Sequence, residues 1–359
     1  MKTIHTTIVG DAGDMTDVPS ESVDLVVTSP PYPMIRMWDD LFCRQNSSIR
    51  RHLDASEGMA AFELMHRELD RVWDEVFRVL KTSGFACINM GDATRKLGHD
   101  FCLYPNHARV LQRLTNMGLQ VLPDILWRKQ SNAPNKFMGS GMLPAGAYVT
   151  LEHEYILVIR KGSKRCFDTS EEKERRRESA IFWEERNQFF SDIWMDLKGA
   201  GQALKQGQSR ARSAAFPFEL AYRLICMYSI QQDVILDPFL GTGTTQAAAA
   251  AACRSSIGIE MDASLLAAIG KWPHDIVVFA NQYHDRRLAR HMDFVNDRIA
   301  GNKSLKYRNR FYGFPVMTSQ ETDLHIHKLE KTIDLDENRI EVHYAGKPHL
   351  KDERPTSNT

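Results

Sequence analysis

The sequence predicts an α/β fold in which a parallel or mixed sheet is covered by helices. Strand-like and helix-like segments alternate along the first part of the 359-residue chain and again after residue 216. Such alternation is typical of α/β domains. In addition, two of the predicted strands end in short motifs rich in proline or glycine, at 28–32 and 237–245. These motifs carry the functional prediction.

The first part of the chain alternates between predicted strands and helices. The strand Val23–Thr28 is a β-branched run that stops at two prolines. A helix is predicted over 59–80, where apolar residues recur at helical spacing, and Ser83-Gly84 is expected to close it. The elements that follow are a strand at 85–90, a helix at 105–117 and strands at 121–127 and 154–160.

The middle and the end of the chain break this alternation. Residues 130–150 are rich in Asn, Gly and Pro and are predicted to form a long loop, and 161–213 contain a mixed-charge stretch and a Gly/Gln/Arg-rich segment. The alternation resumes with a helix at 217–229, a strand at 233–237, an Ala-rich helix and a strand at 256–260. We therefore expect a main domain formed by 1–160 and 214–270, an insertion at 161–213, and an extension at 271–359.

Composition excludes several classes of protein. Lys+Arg and Asp+Glu both number 46, so net charge is no evidence for or against a nucleic-acid partner. No apolar run approaches the roughly 20 residues that span a bilayer, and no signal peptide is predicted. The six cysteines form no CxxC pair, which disfavours disulfide frameworks and zinc sites. His325 and His327 are expected on an exposed strand face rather than in a metal site. A cytoplasmic, reduced protein is predicted.

The segment DPFLGTGTT at 237–245 follows a predicted strand and opens a helix, and Glu260 ends the next strand. Glycines in such a turn let the backbone approach a ligand, and an acid at the tip of the second strand can bind both hydroxyls of a ribose. Glycines here are often only turn residues, but the whole unit favours an adenosyl ligand. Because GxGxxG spacing and a Gly-Lys-[Ser/Thr] phosphate loop are missing, a dinucleotide or ATP is disfavoured.

The segment TSPPY at 28–32 ends the first predicted strand. Pro30 and Pro31 fix φ and lack N–H donors, so they leave a rigid row of carbonyl acceptors beside the Ser29 hydroxyl and the Tyr32 ring. This arrangement suits a planar ring with an exocyclic amino group, which would stack on the tyrosine and donate both amino hydrogens. Taken alone, the motif is explained equally well as a strand stop.

Together, the two motifs resemble those of the DNA amino-methyltransferases, which use S-adenosyl-L-methionine. The acceptor motif of that family is (Asp/Asn/Ser)-Pro-Pro-(Tyr/Phe), and TSPPY is the form typical of cytosine-N4 enzymes. The acceptor motif precedes the cofactor motif in this sequence, an order that resembles the permuted β group. Further segments resemble family elements in the same order: 10–12, 85–92, 127–129, 153–155 and 215–220. The resemblance implies a Rossmann-like methyltransferase sheet with circularly permuted motifs, a target-recognition region at 161–213, and an extension at 271–359 of unknown role.

The resemblance also implies roles for individual residues. The catalytic residues would be Ser29, Pro30, Pro31 and Tyr32. The cofactor would be bound by Asp11, Ala12, Thr28, Phe216, Pro217, Asp237, Pro238, Phe239, Gly241, Thr242, Gly243, Thr244, Glu260 and Met261. DNA would be contacted by Trp127, Lys129, Lys136, Arg210 and Arg212. No metal is expected.

The implied reaction is methylation of the N4 amino group of a flipped-out cytosine in double-stranded DNA. Adenine N6 is the closest alternative, because the acceptor motif does not fix the base, and a catalytically silent nucleic-acid-binding subunit is a third. A carbon-5 methyltransferase would need a cysteine nucleophile, usually after proline, and no cysteine in this sequence follows a proline. A restriction-modification or epigenetic role is expected. The predicted partners are DNA and a cognate restriction endonuclease that acts on the same site without direct contact.

Overall fold

The computed structural model describes residues 1–129, 138–139, 143–198 and 216–347. Its strands are β1 (Lys2–Val9), β2 (Val23–Thr28), β3 (Leu80–Met90), β4 (Ala93–Leu97), β5 (Asp100–Tyr104), β6 (Gln120–Val121), β7 (Ile125–Arg128), β8 (Met138–Gly139), β9 (Ala147–Tyr148), β10 (His153–Arg160), β11 (Ile193–Trp194), β12 (Val234–Asp237), β13 (Ser255–Glu260), β14 (Tyr307–Arg308), β15 (Pro315–Val316), β16 (Leu329–Asp334) and β17 (Arg339–Tyr344). Its α-helices are α1 (Asp39–Gln45), α2 (Ser47–Asp54), α3 (Gly58–Val79), α4 (Asn106–Asn116), α5 (Ser170–Glu178), α6 (Trp183–Phe189), α7 (Phe218–Tyr228), α8 (Thr244–Ala251), α9 (Leu266–Ile269) and α10 (Trp272–Ala300), and 3-10 turns cover Arg36–Trp38, Ala263–Leu265 and Ser319–Glu321.

One large sheet organises the molecule, in the order β11-β7-β10-β3-β2-β12-β13-β1-β17-β16. The central strands β3, β2, β12, β13 and β1 run parallel to their neighbours, whereas β10 and β17 pair antiparallel at the two sides of this block. The short strand β6 pairs with β10 beyond the reach of β7. Because parallel strands share the direction of their carboxyl ends, the segments that follow β1, β2, β12 and β13 lie along one edge.

Helices cover both faces of the sheet, and the period-2 alternation of the strands divides the core between them. Val26 faces the layer built on α2, α3 and α4, whereas Leu25 and Val27 face the layer built on α7, α8 and α10. All six residues of β2 are buried, which explains why four of them are apolar and why the strand lacks the alternation of a half-buried one. The predicted α/β fold is therefore confirmed.

Several element boundaries differ from the prediction for local reasons. The helix predicted over 59–80 ends at Val79, and β3 starts at once with Leu80. Ser83 therefore lies inside the strand, with φ of 72°, instead of closing the helix. The strand predicted at 121–127 is divided into β6 and β7, since Pro123 between them has no N–H to give to a ladder.

Two long elements had no counterpart in the prediction. Strand β1 directs Thr3, His5 and Thr7 into the interior, so it lacks the apolar alternation by which strands are recognised. Helix α10 buries His284, Arg287 and His291 on its inner face. Arg287 is held by a segment remote in sequence, since its Nε donates to Glu185 Oε1 at 2.5 Å.

The regions predicted as insertion and extension are both joined to the large sheet. Within the described part of 161–213, β11 pairs parallel with β7. The extension contributes β17, which pairs antiparallel with β1, and β16 beside it. The division of the chain into domains stays a prediction, but these contacts make both regions continuous with the main sheet.

The expectation for His325 and His327 was wrong. Both side chains are buried, they lie just before β16 rather than on a strand face, and His325 Nδ1 lies 3.1 Å from His327 Nε2. Burial lowers the pKa of His325 to about 4 and that of His327 to about 3. Among the described residues, no group of three or more His, Cys, Asp or Glu side chains is arranged to hold a metal ion. None of the described helices is long and apolar enough to cross a membrane.

Candidate active site

The two motifs line a single cleft at the carboxyl edge of the central strands. The empty space of the cleft is about 2670 Å³, a volume that includes the open solvent at its mouth. Four segments that follow parallel strands contribute to its wall. The predicted residues found there are Asp11, Ala12, Ser29, Pro30, Pro31, Tyr32, Phe216, Asp237, Pro238, Phe239, Gly241, Thr242, Thr244, Glu260 and Met261.

Glu260 is held at the mouth of this cleft by backbone donors. The N–H of Gly241 donates to Oε2 at 2.8 Å, and the N–H of Asp262 donates to Oε1 at 2.8 Å. Gly241 has φ of 58°, a left-handed conformation that favours glycine, so the turn brings its N–H to the carboxylate without strain. Burial raises the pKa of Glu260. Each carboxylate oxygen retains a further lone pair, which is the acceptor pattern that a pair of ribose hydroxyls requires.

Asp237 lies deeper and joins the two motifs. Its Oδ1 accepts from the Thr28 hydroxyl at 2.6 Å and from the Phe239 N–H at 3.1 Å, and its Oδ2 accepts from the Thr245 hydroxyl at 2.6 Å. Burial raises the pKa of Asp237 to about 6, although these hydrogen bonds oppose the shift. The carboxylate therefore ties the end of β2 to the start of α8.

Three residues predicted to bind the cofactor do not line the cleft. Thr28 is fully buried and gives its hydroxyl proton to Asp237. Pro217 is the cap residue that precedes α7. Gly243 has φ of 85°, and a Cβ on it would lie 2.8 Å from Cδ1 of Trp272, so a glycine is needed there for packing. In the structure these residues support the cleft through hydrogen bonding, helix capping and packing. The prediction that they contact the cofactor stays a prediction.

The acceptor motif presents a serine and a tyrosine whose hydroxyls are linked. Ser29 Oγ lies 3.0 Å from Tyr32 Oη, and Tyr32 Oη donates to Glu154 Oε2 at 3.0 Å. The amide nitrogen of Asn89 donates to Tyr32 Oη at 2.9 Å. Burial raises the pKa of Tyr32 well above its ordinary value, so the phenol keeps its proton and acts as a donor.

Sequence reasoning gave no role to two groups of residues at the site. Asn89 and Glu154 hold the tyrosine. The segments 85–92 and 153–155 that contain them were matched to family elements, but only the pairing of β3 with β10 brings these two side chains together. The outer wall opposite the motifs is formed by α1, α3 and the turn before α1. Its lining residues are Met37, Trp38, Asp40, Leu41, Arg44, Gln45, Glu68, Leu69 and Val72. The helical spacing of the α3 residues was recognised, but their exposure to a cleft was not.

The residues predicted to contact DNA fall into three groups. Trp127 is fully buried and its indole donates to the carbonyl of Leu197 at 3.0 Å, so here it packs in the core, and its contact with DNA stays a prediction. Lys129 is partly exposed, and its ammonium donates to Glu154 Oε1 at 2.9 Å. Lys136, Arg210 and Arg212 lie outside the described residues.

The side chains that line the cleft fit an adenosyl group with a positively charged sulfur. A carboxylate at the mouth suits the ribose, and Phe239, Ile259 and Leu240 give apolar walls for a purine. Phe216 approaches from the end of the cleft nearest α7. The aromatic and carboxylate groups of the site also suit a cation.

Comparisons with known proteins agree with this geometry. The family model described as DNA methylase (N6_N4_Mtase) matches residues 23–271. The chain is 50% identical over 345 residues to the Type II methyltransferase M.MthZI of Methanothermobacter thermautotrophicus, with 96% of each chain covered. It is 48% identical over 274 residues to the Type II methyltransferase M.MjaI of Methanocaldococcus jannaschii, which covers 73% of this chain and 89% of that relative.

A solved structure gives the same fold. The chain is similar to TTHA0409 of Thermus thermophilus, crystallised in complex with S-adenosyl-L-methionine, with 33% identity and a TM-score of 0.59. This match covers 76% of the present chain and 94% of the other.

Proposed function

We propose a specific reaction for this chain from the premise that it belongs to the DNA methylase family of N6 and N4 methyltransferases. It is a DNA methyltransferase, and S-adenosyl-L-methionine is its cofactor. The acceptor that we propose is the exocyclic N4 amino group of a cytosine. The observation that carries this proposal is the meeting of TSPPY and the Glu260 turn in one cleft.

The cofactor half of the cleft would hold the methyl donor through groups already oriented. S-adenosyl-L-methionine supplies an electrophilic methyl group on a sulfonium. Glu260 would accept hydrogen bonds from the two ribose hydroxyls, because its oxygens are fixed by the N–H groups of Gly241 and Asp262. Apolar side chains such as Phe239 and Ile259 would cover the purine. Asp237 would act indirectly, by fixing the turn.

The acceptor half would receive a base that has left the duplex, since the amino group is unreachable in a stacked helix. Ser29 Oγ and the Pro30 carbonyl would accept the two amino hydrogens. This would draw the nitrogen lone pair out of conjugation with the ring and towards the methyl group. Transfer would form the C–N bond as the C–S bond breaks, and the nitrogen would then lose a proton to solvent. Orientation carries much of such a rate, because no strong acid or base is needed.

Tyr32 would support the base by stacking, an interaction worth roughly 1–3 kcal/mol per base. The hydrogen bonds of its hydroxyl to Glu154 and Asn89 fix the plane of the ring. Cytosine is preferred over adenine in this proposal because Ser, rather than Asp or Asn, heads the motif, as in the cytosine-N4 enzymes that the motif resembles.

The wider role follows from the same premise. The curated relatives are Type II methyltransferases, so we propose that this chain modifies a short DNA site. A cognate endonuclease would cleave the same site when it is unmodified. We expect the protein to act in the cytoplasm, where it meets DNA, and we expect residues 130–215 to carry part of the sequence recognition.

Nucleoside mass spectrometry tests the base assignment. The purified protein is incubated with S-adenosyl-L-methionine and unmethylated DNA amplified from a large genomic library, and the DNA is digested to nucleosides. We expect N4-methylcytosine with the wild type and a strong reduction with Ser29→Ala. N6-methyladenine as the only product would refute the cytosine assignment, and no methylated nucleoside at all would refute the activity. Sequencing of the modified DNA then gives the site.

A further inference from the structure

A chain of hydrogen bonds runs from the acceptor serine to a partly buried ion pair. Ser29 Oγ is 3.0 Å from Tyr32 Oη, which lies 3.0 Å from Glu154 Oε2. The other carboxylate oxygen, Oε1, accepts from the ammonium of Lys129 at 2.9 Å. The side chain of Glu154 is only 12% exposed, so protein groups rather than water supply most of its hydrogen bonds.

Asn89 closes the network on a second side. Its Nδ2 donates to Glu154 Oε2 at 2.6 Å and to Tyr32 Oη at 2.9 Å. The amide must present its nitrogen here, because its oxygen would be repelled by the carboxylate. Tyr32 Oη therefore already accepts one hydrogen bond from Asn89.

The direction of the Ser29–Tyr32 hydrogen bond follows from these assignments. A carboxylate is an acceptor only, so the phenol proton points to Glu154 rather than to Ser29. The other acceptor within reach, the main-chain carbonyl oxygen of Asn89, lies at 3.4 Å and also draws the proton away from Ser29. The serine hydroxyl is then placed to donate to Tyr32 Oη at 3.0 Å, which leaves its own lone pairs for an incoming donor.

We propose that Glu154 is a positioning residue. It fixes the donor-to-acceptor direction of the Ser29–Tyr32–Glu154 hydrogen bonds, so that Ser29 Oγ faces the target amino group only as an acceptor. The inference rests on the proposed methyl transfer, because an acceptor is useful only if an amino group arrives as donor. It explains why a charged residue lies behind a tyrosine that would stack equally well without its hydroxyl.

Packing fixes the ring that transmits this effect. A Cβ placed on Gly91 would lie 2.7 Å from Cε2 of Tyr32, so the segment after strand β3 leaves room for the ring only because residue 91 is glycine. Asn89 lies two residues earlier, on β3 itself. The ring and its hydroxyl are thus held from one stretch of chain, and the carboxylate is held from the neighbouring strand β10.

The substitution Glu154→Ala tests the direction specifically. A Gln amide would not, because Asn89 and Lys129 donate to different oxygens of Glu154 and the amide oxygen could keep the place beside Tyr32. With alanine the phenol proton loses the carboxylate. Ser29 Oγ at 3.0 Å is then closer than the main-chain oxygen of Asn89 at 3.4 Å, so the serine would present its hydrogen to the base. We expect the rate of methyl transfer in a single turnover to fall about tenfold or more, because a small change in geometry at the reacting atoms has effects of this order.

The experiment compares Glu154→Ala, Tyr32→Phe and the double variant in single-turnover transfer of labelled methyl groups to DNA. Tyr32→Phe keeps the ring, removes the hydrogen-bond link, and should lower the rate about tenfold. In the Phe background, Glu154→Ala should have no further effect, since the two changes break the same chain of hydrogen bonds. Affinities for DNA and for S-adenosyl-L-methionine should stay unchanged.

Glu152→Ala is the matched control. Its carboxylate lies two residues away and pairs with Arg128 at 3.0 Å, so the transfer rate should equal that of the wild type. A wild-type rate in Glu154→Ala or in Tyr32→Phe would overturn the proposal, and so would a full additional loss in the double variant. A wild type that transfers no methyl group to any DNA would instead refute the proposed function, which separates the two failures.

Discussion

Replacing Asp237 by Asn should make the protein less sensitive to pH between weakly acidic and neutral conditions. Asp237 is fully buried below the glycine turn, and burial raises its pKa from the ordinary value of 3.8 to about 6. A carboxyl whose pKa is raised on folding is more costly to ionise in the folded state than in the unfolded state. Its contribution to the free energy of unfolding is therefore greatest when it is protonated and is lost as pH rises from the unfolded pKa through about 6.

The size of the effect follows from the two pKa values. They differ by about 2, which corresponds to about 3 kcal/mol of stability lost between about pH 4 and about pH 7. In the Asn variant the Thr28 hydroxyl and the Phe239 N–H still find Oδ1. The Thr245 hydroxyl, which also lies 3.4 Å from the carbonyl of Val27, can donate there and accept from the new amide. The variant thus removes the charge and leaves few groups unpaired.

Urea unfolding of both proteins at a series of pH values measures this contribution. The free energy of unfolding of Asp237→Asn, relative to wild type, should rise by about 3 kcal/mol from about pH 4 to about pH 7. Asp74→Asn, at a carboxylate that is 57% exposed, is the control for a surface substitution. A difference between Asp237→Asn and wild type that stays constant over this range would refute the reasoning, because Asp237 would then ionise alike in both states.

Three further substitutions separate binding, catalysis and stability. Glu260→Ala should weaken S-adenosyl-L-methionine binding by about 1.5–3 kcal/mol, the value of hydrogen bonds to a charged group. Isothermal titration calorimetry of the folded variant measures this loss, and an unchanged affinity would contradict the assignment. Ser29→Ala should lower the methyl-transfer rate far more than the affinity for DNA, since the serine acts mainly in the transition state; equal losses in both, measured by single turnover and by DNA titration, would argue for a binding role. Trp127→Ala should cost about 3–5 kcal/mol of stability, because it leaves a cavity in the core. Thermal unfolding would show this loss. A stable variant with a selective loss of DNA affinity would instead support a DNA contact by Trp127.

The strands that the sequence predicted correctly are those whose burial is visible in their composition. Strand β2 is buried on both faces and is mostly apolar, so it could be recognised alone. Strand β1 is buried through Thr3, His5 and Thr7, and its partners are remote. The Thr3 hydroxyl, for example, lies 2.8 Å from the hydroxyl of Tyr344. A polar strand of this kind is stable only in the assembled sheet, which explains why no local pattern reveals it.

The same distinction applies to the site. The motifs at 28–32 and 237–245 could be read because each is continuous in sequence and follows a strand. Asn89 and Glu154 carry no such signal, since their meaning depends on the antiparallel register that pairs Asn89 with Ile156 and Met90 with Tyr155. Lys129 shows the consequence: the sequence predicts it as a DNA contact, and only the pairing of β7 with β10 reveals that its ammonium also reaches the Glu154 carboxylate.

The permuted order of the motifs leaves the geometry of the site intact because sheet neighbours, rather than sequence neighbours, define it. Strand β2, which ends in the acceptor motif, pairs in parallel with β12, which ends in the cofactor motif. The Thr28–Asp237 hydrogen bond of 2.6 Å crosses this pair at the point where both strands end. Ser29 and Pro238 each follow one of these residues directly. The separation of the two motifs is therefore set by two adjacent strands and one buried hydrogen bond, although Thr28 and Asp237 are 209 positions apart in the sequence.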